Sequence, residues 1–218
     1  MPVPHPSTYL QNICATLRTH WPQNRAINIV CHGHSVPAGY FATPRVDSLN
    51  AYPHLLREEL AALYPFSVTN VIVSAIGGEN SIAGSARFAD DVLGHKPDVV
   101  TLDYGLNDRW ASLAEVETAW RNMTTACVSR GIAVILMTPT FDLSIRNPAS
   151  SEWRALVERA ALIRRLADEL NVGLCDSFAA WERSCEAADV AEFLSWSNHP
   201  NRRGHQLVAL ELMKWFRA

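Results

Sequence analysis

Five short apolar runs rich in β-branched residues, separated by longer stretches of helical period, constrain this chain more than any other feature. The runs cover 27–31, 68–73, 99–103, 132–137 and 172–175, and each is too short for a core helix. A regular alternation of such runs with helices predicts a parallel sheet covered by helices on both faces. The segment from 112 onward predicts the clearest helix. Ser112 and Glu115 have the spacing of a capping box, Leu113, Val116, Trp120, Met123 and Cys127 form one stripe, and Gly131 suits the position just past the end. A second long helix is predicted over 151–170, with Trp153, Val157, Ala160, Ile163 and Leu170 inward and Arg159, Arg164, Arg165 and Asp168 largely outward. Helical cover is also expected over 52–63, 81–93 and 202–216, with a short N-terminal helix over 7–20.

The 218 residues carry no repeat, low-complexity tract or Gly/Ser linker, so one domain over 1–218 is expected. Nineteen Lys and Arg against 22 Asp and Glu leave a formal charge of -3, which provides no basic field for nucleic acid or an anionic membrane. The first twenty residues are broken by Gln11, Asn12 and Arg18, unlike a secretory signal, and no later apolar run approaches the roughly 18 residues of a membrane span. A cytoplasmic location without a membrane span is the expectation. The odd set Cys14, Cys31, Cys127, Cys175 and Cys185 has no CxxC spacing and reads as free, buried thiols.

In an open parallel sheet the ligand site lies at the C-terminal ends of the strands, and the chemistry-bearing residues stand there. After the first run the chain reads Cys31-His32-Gly33-His34-Ser35, after the second Ser74-Ala75-Ile76-Gly77-Gly78-Glu79-Asn80-Ser81, and after the third Asp103-Tyr104-Gly105-Leu106-Asn107-Asp108-Arg109. Asn198-His199-Pro200-Asn201-Arg202-Arg203-Gly204-His205 precedes the last helix. Singly, each has an ordinary structural explanation: a helix cap at Ser35, a turn at the paired glycines, an Asx-turn at Asn107, a packed histidine at His199. Together they offer a hydroxyl, a backbone N–H with no side chain to block it, an uncharged amide donor and an imidazole.

In that chain order the four blocks resemble those of the SGNH, or GDSL-type, hydrolases, over about 27–209. The Gly-Leu-Asn-Asp and His-Pro-Asn-x-x-Gly-His segments are the most specific part of the match. The resemblance implies a flavodoxin-like three-layer α/β/α fold with a five-stranded parallel sheet, and a serine esterase. Ser35 would attack the acyl carbon, the Ser35 and Gly78 backbone N–H groups and the Asn107 side chain would receive the oxyanion, and His199 would act as base. No cofactor and no metal enter that chemistry.

Two positions depart from the family pattern. His34 stands where the family has aspartate, and an imidazole is not expected to replace a carboxylate that accepts backbone hydrogen bonds. Trp196 stands where the family's acid lies, three residues before the histidine, and an indole can only donate. Ser195, Ser197, a backbone carbonyl and Glu192 remain as acceptors for His199, and no acid is assigned.

Tyr40, Phe41, Tyr104 and Trp110 lie near the blocks in sequence and are core aromatics by default or walls of an acyl or sugar site. The 138–149 loop, with Pro139, Phe141, Asp142, Arg146 and Pro148, is long enough to border the cleft. By family analogy the expected substrate is a small-molecule or carbohydrate ester with a short acyl group, such as an acetylated sugar. Alternatives are a longer-chain lipase or thioesterase on the same site, and a catalytically degenerate carbohydrate-binding module. A nucleotide-binding loop and an α/β-hydrolase nucleophile elbow are both disfavoured by Pro37, which removes a backbone donor and occupies the elbow's second glycine position.

Overall fold

The computed structural model describes residues 4–217. Five parallel strands, β1 (Ala26–Gly33), β2 (Val68–Ala75), β3 (Val99–Asp103), β4 (Ala133–Met137) and β5 (Gly173–Cys175), form one sheet in the order β2-β1-β3-β4-β5. All five predicted strands are present, and the differences are one or two residues at their ends. Alternation along each central strand splits the interior into two cores. Ile27, Ile29, Cys31, Val99, Ile135 and Met137 face one side, while Val30, Val100, Leu102, Val134 and Leu136 face the other.

The first core is closed by helices Tyr52–Leu63, Ser177–Cys185 and Arg202–Met213 together with the N-terminal segment, and the second by Ser81–Asp91 and Leu113–Val128. Helix Ser151–Leu170 serves both, through Leu156 and Ala160 on one side and Leu162, Ile163 and Leu166 on the other. The result is the three-layer α/β/α arrangement expected. All five cysteines are free, four of them buried and Cys185 half-buried. Gly131 follows helix Leu113–Val128 with φ +71°, the left-handed conformation anticipated for it.

Four local expectations need correction. Ser112 precedes the Leu113–Val128 helix but makes no capping hydrogen bond, and both it and Glu115 are exposed, and a first turn open to solvent needs no side-chain cap. The N-terminal segment forms two short helices, Pro6–Tyr9 and Gln11–Leu17, instead of one. Helix Ser177–Cys185, capped by the Asp176 carboxylate on the Ala179 N–H, was not anticipated, because nine residues leave room for only a brief apolar stripe at Phe178 and Trp181. Finally, Arg159 is buried at 4% exposure while Val157 is 40% exposed. The guanidinium enters the interior because two loop carbonyls receive it, Asp108 from Nε at 3.2 Å and Ala111 from Nη2 at 2.8 Å.

Strand order determines where the site can lie. The chain leaves β1 for β2 on one side and returns to β3 on the other, so the loops after β1 and β3 diverge at a topological switch point. Gly33, the last residue of β1, pairs with Ala75 of β2 and Asp103 of β3. A Cβ at Gly33 would come within 2.4 Å of the Asp103 carbonyl oxygen, so only glycine lets these strand ends approach so closely.

Candidate active site

Ser35 opens a four-residue helix, Ser35–Ala38, immediately beyond β1, and is 5% exposed. His34 caps this helix, its Nδ1 accepting the Val36 N–H at 3.2 Å. The imidazole therefore does reproduce one backbone-accepting function of the family's aspartate, contrary to expectation, because a bare ring nitrogen is an acceptor like a carboxylate oxygen.

His199 Nε2 lies 3.1 Å from Ser35 Oγ, although 164 residues separate them in sequence. Its other nitrogen, Nδ1, lies 3.0 Å from the Phe41 carbonyl oxygen and 3.4 Å from Thr43 Oγ1. A carbonyl can only accept, so the ring proton belongs on Nδ1 and the Nε2 lone pair faces the serine hydroxyl. Burial is the largest influence on His199 and holds its pKa below the ordinary histidine value, outweighing the opposing effect of the Phe41 carbonyl.

The acceptor of His199 is thus a backbone carbonyl on the β1 side of the cleft. Glu192 is instead paired with Arg203 at 2.8 Å, Ser195 Oγ donates to the His199 and Pro200 carbonyls at 3.1 Å each, and Ser197 Oγ donates to Asn198. Trp196 is 55% exposed. No sequence signal marks a carbonyl as the partner of a ring nitrogen 158 residues away.

The His-Pro-Asn-x-x-Gly-His segment holds His199 from several sides. Asn201 caps the last helix, its side-chain oxygen accepting the Arg203 and Gly204 N–H groups, while its amide donates to the Glu192 and Leu194 carbonyls. His205 is buried and accepts the Tyr52 N–H through Nδ1, with burial lowering its pKa to about 3, so it is a neutral strut.

On the other flank of β1, Gly78 adopts φ +80°, and Asn107 Nδ2 donates to the Glu79 carbonyl at 2.9 Å, joining the loops after β2 and β3. The Glu79 carboxylate accepts Arg87 Nη2 at 2.6 Å and the Tyr104 hydroxyl at 2.9 Å, which anchors the glycine loop from below. Tyr104 is fully buried and belongs to the core, as its default reading had it, whereas Trp110 is 69% exposed. Phe141, in the loop after β4, is also core, packed against Trp153, Phe178 and Trp181, so only the later part of that loop is free to border a cleft.

Asp108 is buried beneath this loop and accepts the Ser81 N–H and the Trp120 indole N–H, both at 2.7 Å. Desolvation raises its pKa, against the opposing effect of these two donors. Asp108→Ala would leave both donors buried without an acceptor, and urea unfolding is expected to show a loss of about 2–6 kcal/mol with an unchanged m-value.

Among the described residues no group of three or more His, Cys, Asp or Glu is placed to hold a metal ion, and no helix is long and apolar enough to cross a membrane.

The sheet order and the loops gathered at its switch point define a three-layer α/β/α protein of the SGNH hydrolase type. Residues 31–207 match the model of the GDSL-like lipase/acylhydrolase family, and the chain belongs to that family of carboxylic ester hydrolases. Over 168 residues it is 26% identical to an acetylxylan esterase of Geobacillus stearothermophilus, a match spanning 71% of this chain and 75% of that protein. The crystal structure of a catalytic mutant of an acetylxylan esterase from the same organism aligns with a TM-score of 0.77 at 22% identity, covering 92% of this chain and 96% of that one. An α/β hydrolase enzyme from the metagenome of Lake Arreo, Spain, aligns with a TM-score of 0.77 at 23% identity, covering 87% and 94%. These structural likenesses establish the fold.

Proposed function

We propose that this ester hydrolase removes short acyl groups, acetyl foremost, from carbohydrate esters, using Ser35 as nucleophile and His199 as base through an acyl-enzyme. The observation that carries the reading is the 3.1 Å approach of His199 Nε2 to Ser35 Oγ, with the imidazole tautomer set by the Phe41 carbonyl. Ser35 Oγ attacks the acyl carbon as His199 takes its proton. The Ser35 and Gly78 N–H groups and the Asn107 amide stabilise the oxyanion. Collapse breaks the bond to the leaving alcohol, which receives the proton from His199, and water then repeats the sequence on the acyl-serine.

The base works as one half of a dyad. A carboxylate would meet the imidazolium with a full charge, whereas the Phe41 carbonyl offers only a dipole, so orientation is kept and part of the charge stabilisation is absent.

Short acyl groups are favoured by the relation to an acetylxylan esterase and by the confined position of Ser35. Tyr40 adds to that confinement, with its ring 5.9 Å from that of His199 and close enough to Gly77 that a Cβ there would lie 2.8 Å away. Carbohydrate is favoured by Trp110 and Trp196, both exposed on loops at the site end of the sheet. Their loops are tied together: Arg109 lies over the Trp110 ring and pairs with Asp142 at 2.6 Å, and the Leu143 N–H donates to the Ser197 carbonyl at 2.9 Å.

The test is a series of p-nitrophenyl acetate, butyrate and octanoate alongside acetylated xylo-oligosaccharides. Activity falling with chain length and extending to the acetylated sugar is the expected result. A flat or rising profile supports the longer-chain lipase or thioesterase instead, and sugar binding without turnover of any ester supports a degenerate binding module.

The pH profile provides a second check. Catalysis requires neutral His199, and a lowered pKa keeps it neutral further into acid, so the acid limb of kcat/KM should have its midpoint below the ordinary histidine value of about 6.5. An acid limb centred above 7 contradicts the buried-base assignment.

A further inference from the structure

Ser35 has two imidazole neighbours, and only one of them enters the acyl-transfer scheme. His34 Nδ1 lies 3.4 Å from Ser35 Oγ, against 3.1 Å for His199 Nε2. The His34 ring is 1% exposed, and its protonation is constrained from both ends. Nδ1 receives the Val36 N–H, which only a bare nitrogen can accept, so the ring proton belongs on Nε2. That nitrogen is buried, makes no hydrogen bond, and faces Asp103 Oδ1 at 3.4 Å.

Asp103 is itself 3% exposed and stands opposite Gly33 in the β1–β3 register, so the sheet fixes the carboxylate in place. Carboxylate, imidazole and serine hydroxyl therefore follow one another from Asp103 through His34 to Ser35. This is the chemical order of a serine hydrolase triad, which the His199 arm lacks.

We propose that His34 and Asp103 are a positioning pair for Ser35, supplying a carboxylate-oriented imidazole beside the nucleophile where His199 is backed only by a carbonyl. The proposal rests on Ser35 being the nucleophile. The pair moves no proton: the Ser35 proton still leaves to His199 Nε2 as the acyl bond forms. Asp103 keeps the His34 proton on Nε2, which leaves Nδ1 bare to accept the Val36 N–H and to face the Ser35 oxygen at 3.4 Å without a proton of its own, so the one hydroxyl proton is directed to His199. A proton on Nδ1 would break the helix cap and donate to Ser35 Oγ, weakening the nucleophile.

The experiment compares His34→Asn and Asp103→Asn with wild type on p-nitrophenyl acetate. Asparagine is a good capping residue, so His34→Asn retains an acceptor for the Val36 N–H while removing the basic nitrogen. Each variant is expected to lose about ten- to hundredfold in kcat, the scale on which groups that only hold a reacting side chain in place act. KM should stay within about twofold, the signature of an interaction that acts on the transition state. Inactivation of Ser35 by a fluorophosphonate should slow in parallel, and the double variant should be no worse than either single one. If His34 is only a cap, His34→Asn keeps full kcat and any loss in Asp103→Asn tracks a lower thermal midpoint, which overturns the pair. Ser35→Ala separates the two levels: a fully active Ser35→Ala removes the nucleophile itself, whereas an inactive Ser35→Ala beside fully active asparagine variants removes only the pair.

Discussion

Ser35→Ala should lower kcat by up to roughly 10⁶-fold, the scale seen when a serine hydrolase loses its nucleophile or base. His199→Ala should cost a comparable amount, and the double variant should be no worse than either alone. Non-additivity is the informative part, because a hydroxyl and an imidazole 3.1 Å apart that act in one step can be lost only once. KM should change little, since neither group is expected to bind the ground-state ester. Both variants should remain folded, with a stability loss of about 1–3 kcal/mol for the buried partner left unpaired, which is a small share of a scaffold held by two cores. Additive losses would place the two residues in separate roles.

The second large effect is expected at Asn107. Its amide joins the loop after β3 to the Glu79 carbonyl, next to Gly78 with its left-handed backbone, and under the proposed mechanism it also donates to the oxyanion. Asn107→Ala is therefore expected to cost about 100- to 1,000-fold in kcat, the usual range for one oxyanion donor. Asn107→Asp is the sharper probe. It is nearly isosteric, but it places a negative charge at the site of a developing one and presents an oxygen to the Glu79 carbonyl, so its loss should be at least as large. A steady-state comparison at fixed pH reads both, and an Asn107→Ala variant with unchanged kcat would mean that the amide only ties the two loops together.

The strands were legible because buried parallel strands carry their signature locally, in runs such as Val99–Asp103 whose every residue is buried. The blocks that hold Ser35 and His199 are legible for a different reason: their order along the chain survives in sequence, although the 164-residue separation does not announce the contact between the two side chains. What could not be read depended on atoms without a residue code or on strand register. The Phe41 carbonyl is backbone, present at every position, and becomes a partner for His199 only once the turn after Gly39 is folded. Asp103 comes near His34 only through the pairing of Gly33 with Asp103, a register that no single strand encodes. Hydropathy assigns the charge of Arg159 to the surface, whereas the two carbonyls that receive it inside lie about fifty residues upstream. The capping role of His34 is hidden by its chemical class, because a neutral imidazole with Nδ1 bare caps a helix as a carboxylate oxygen does.

The most direct test of the central claim, that Ser35 is the nucleophile activated by His199, is intact-mass and peptide mass spectrometry after treatment with a fluorophosphonate. The account predicts a single adduct, mapped to the peptide containing Ser35, that forms in parallel with loss of esterase activity and is absent from Ser35→Ala and greatly slowed in His199→Ala. An adduct on another residue, or inactivation that proceeds equally fast in His199→Ala, would contradict it.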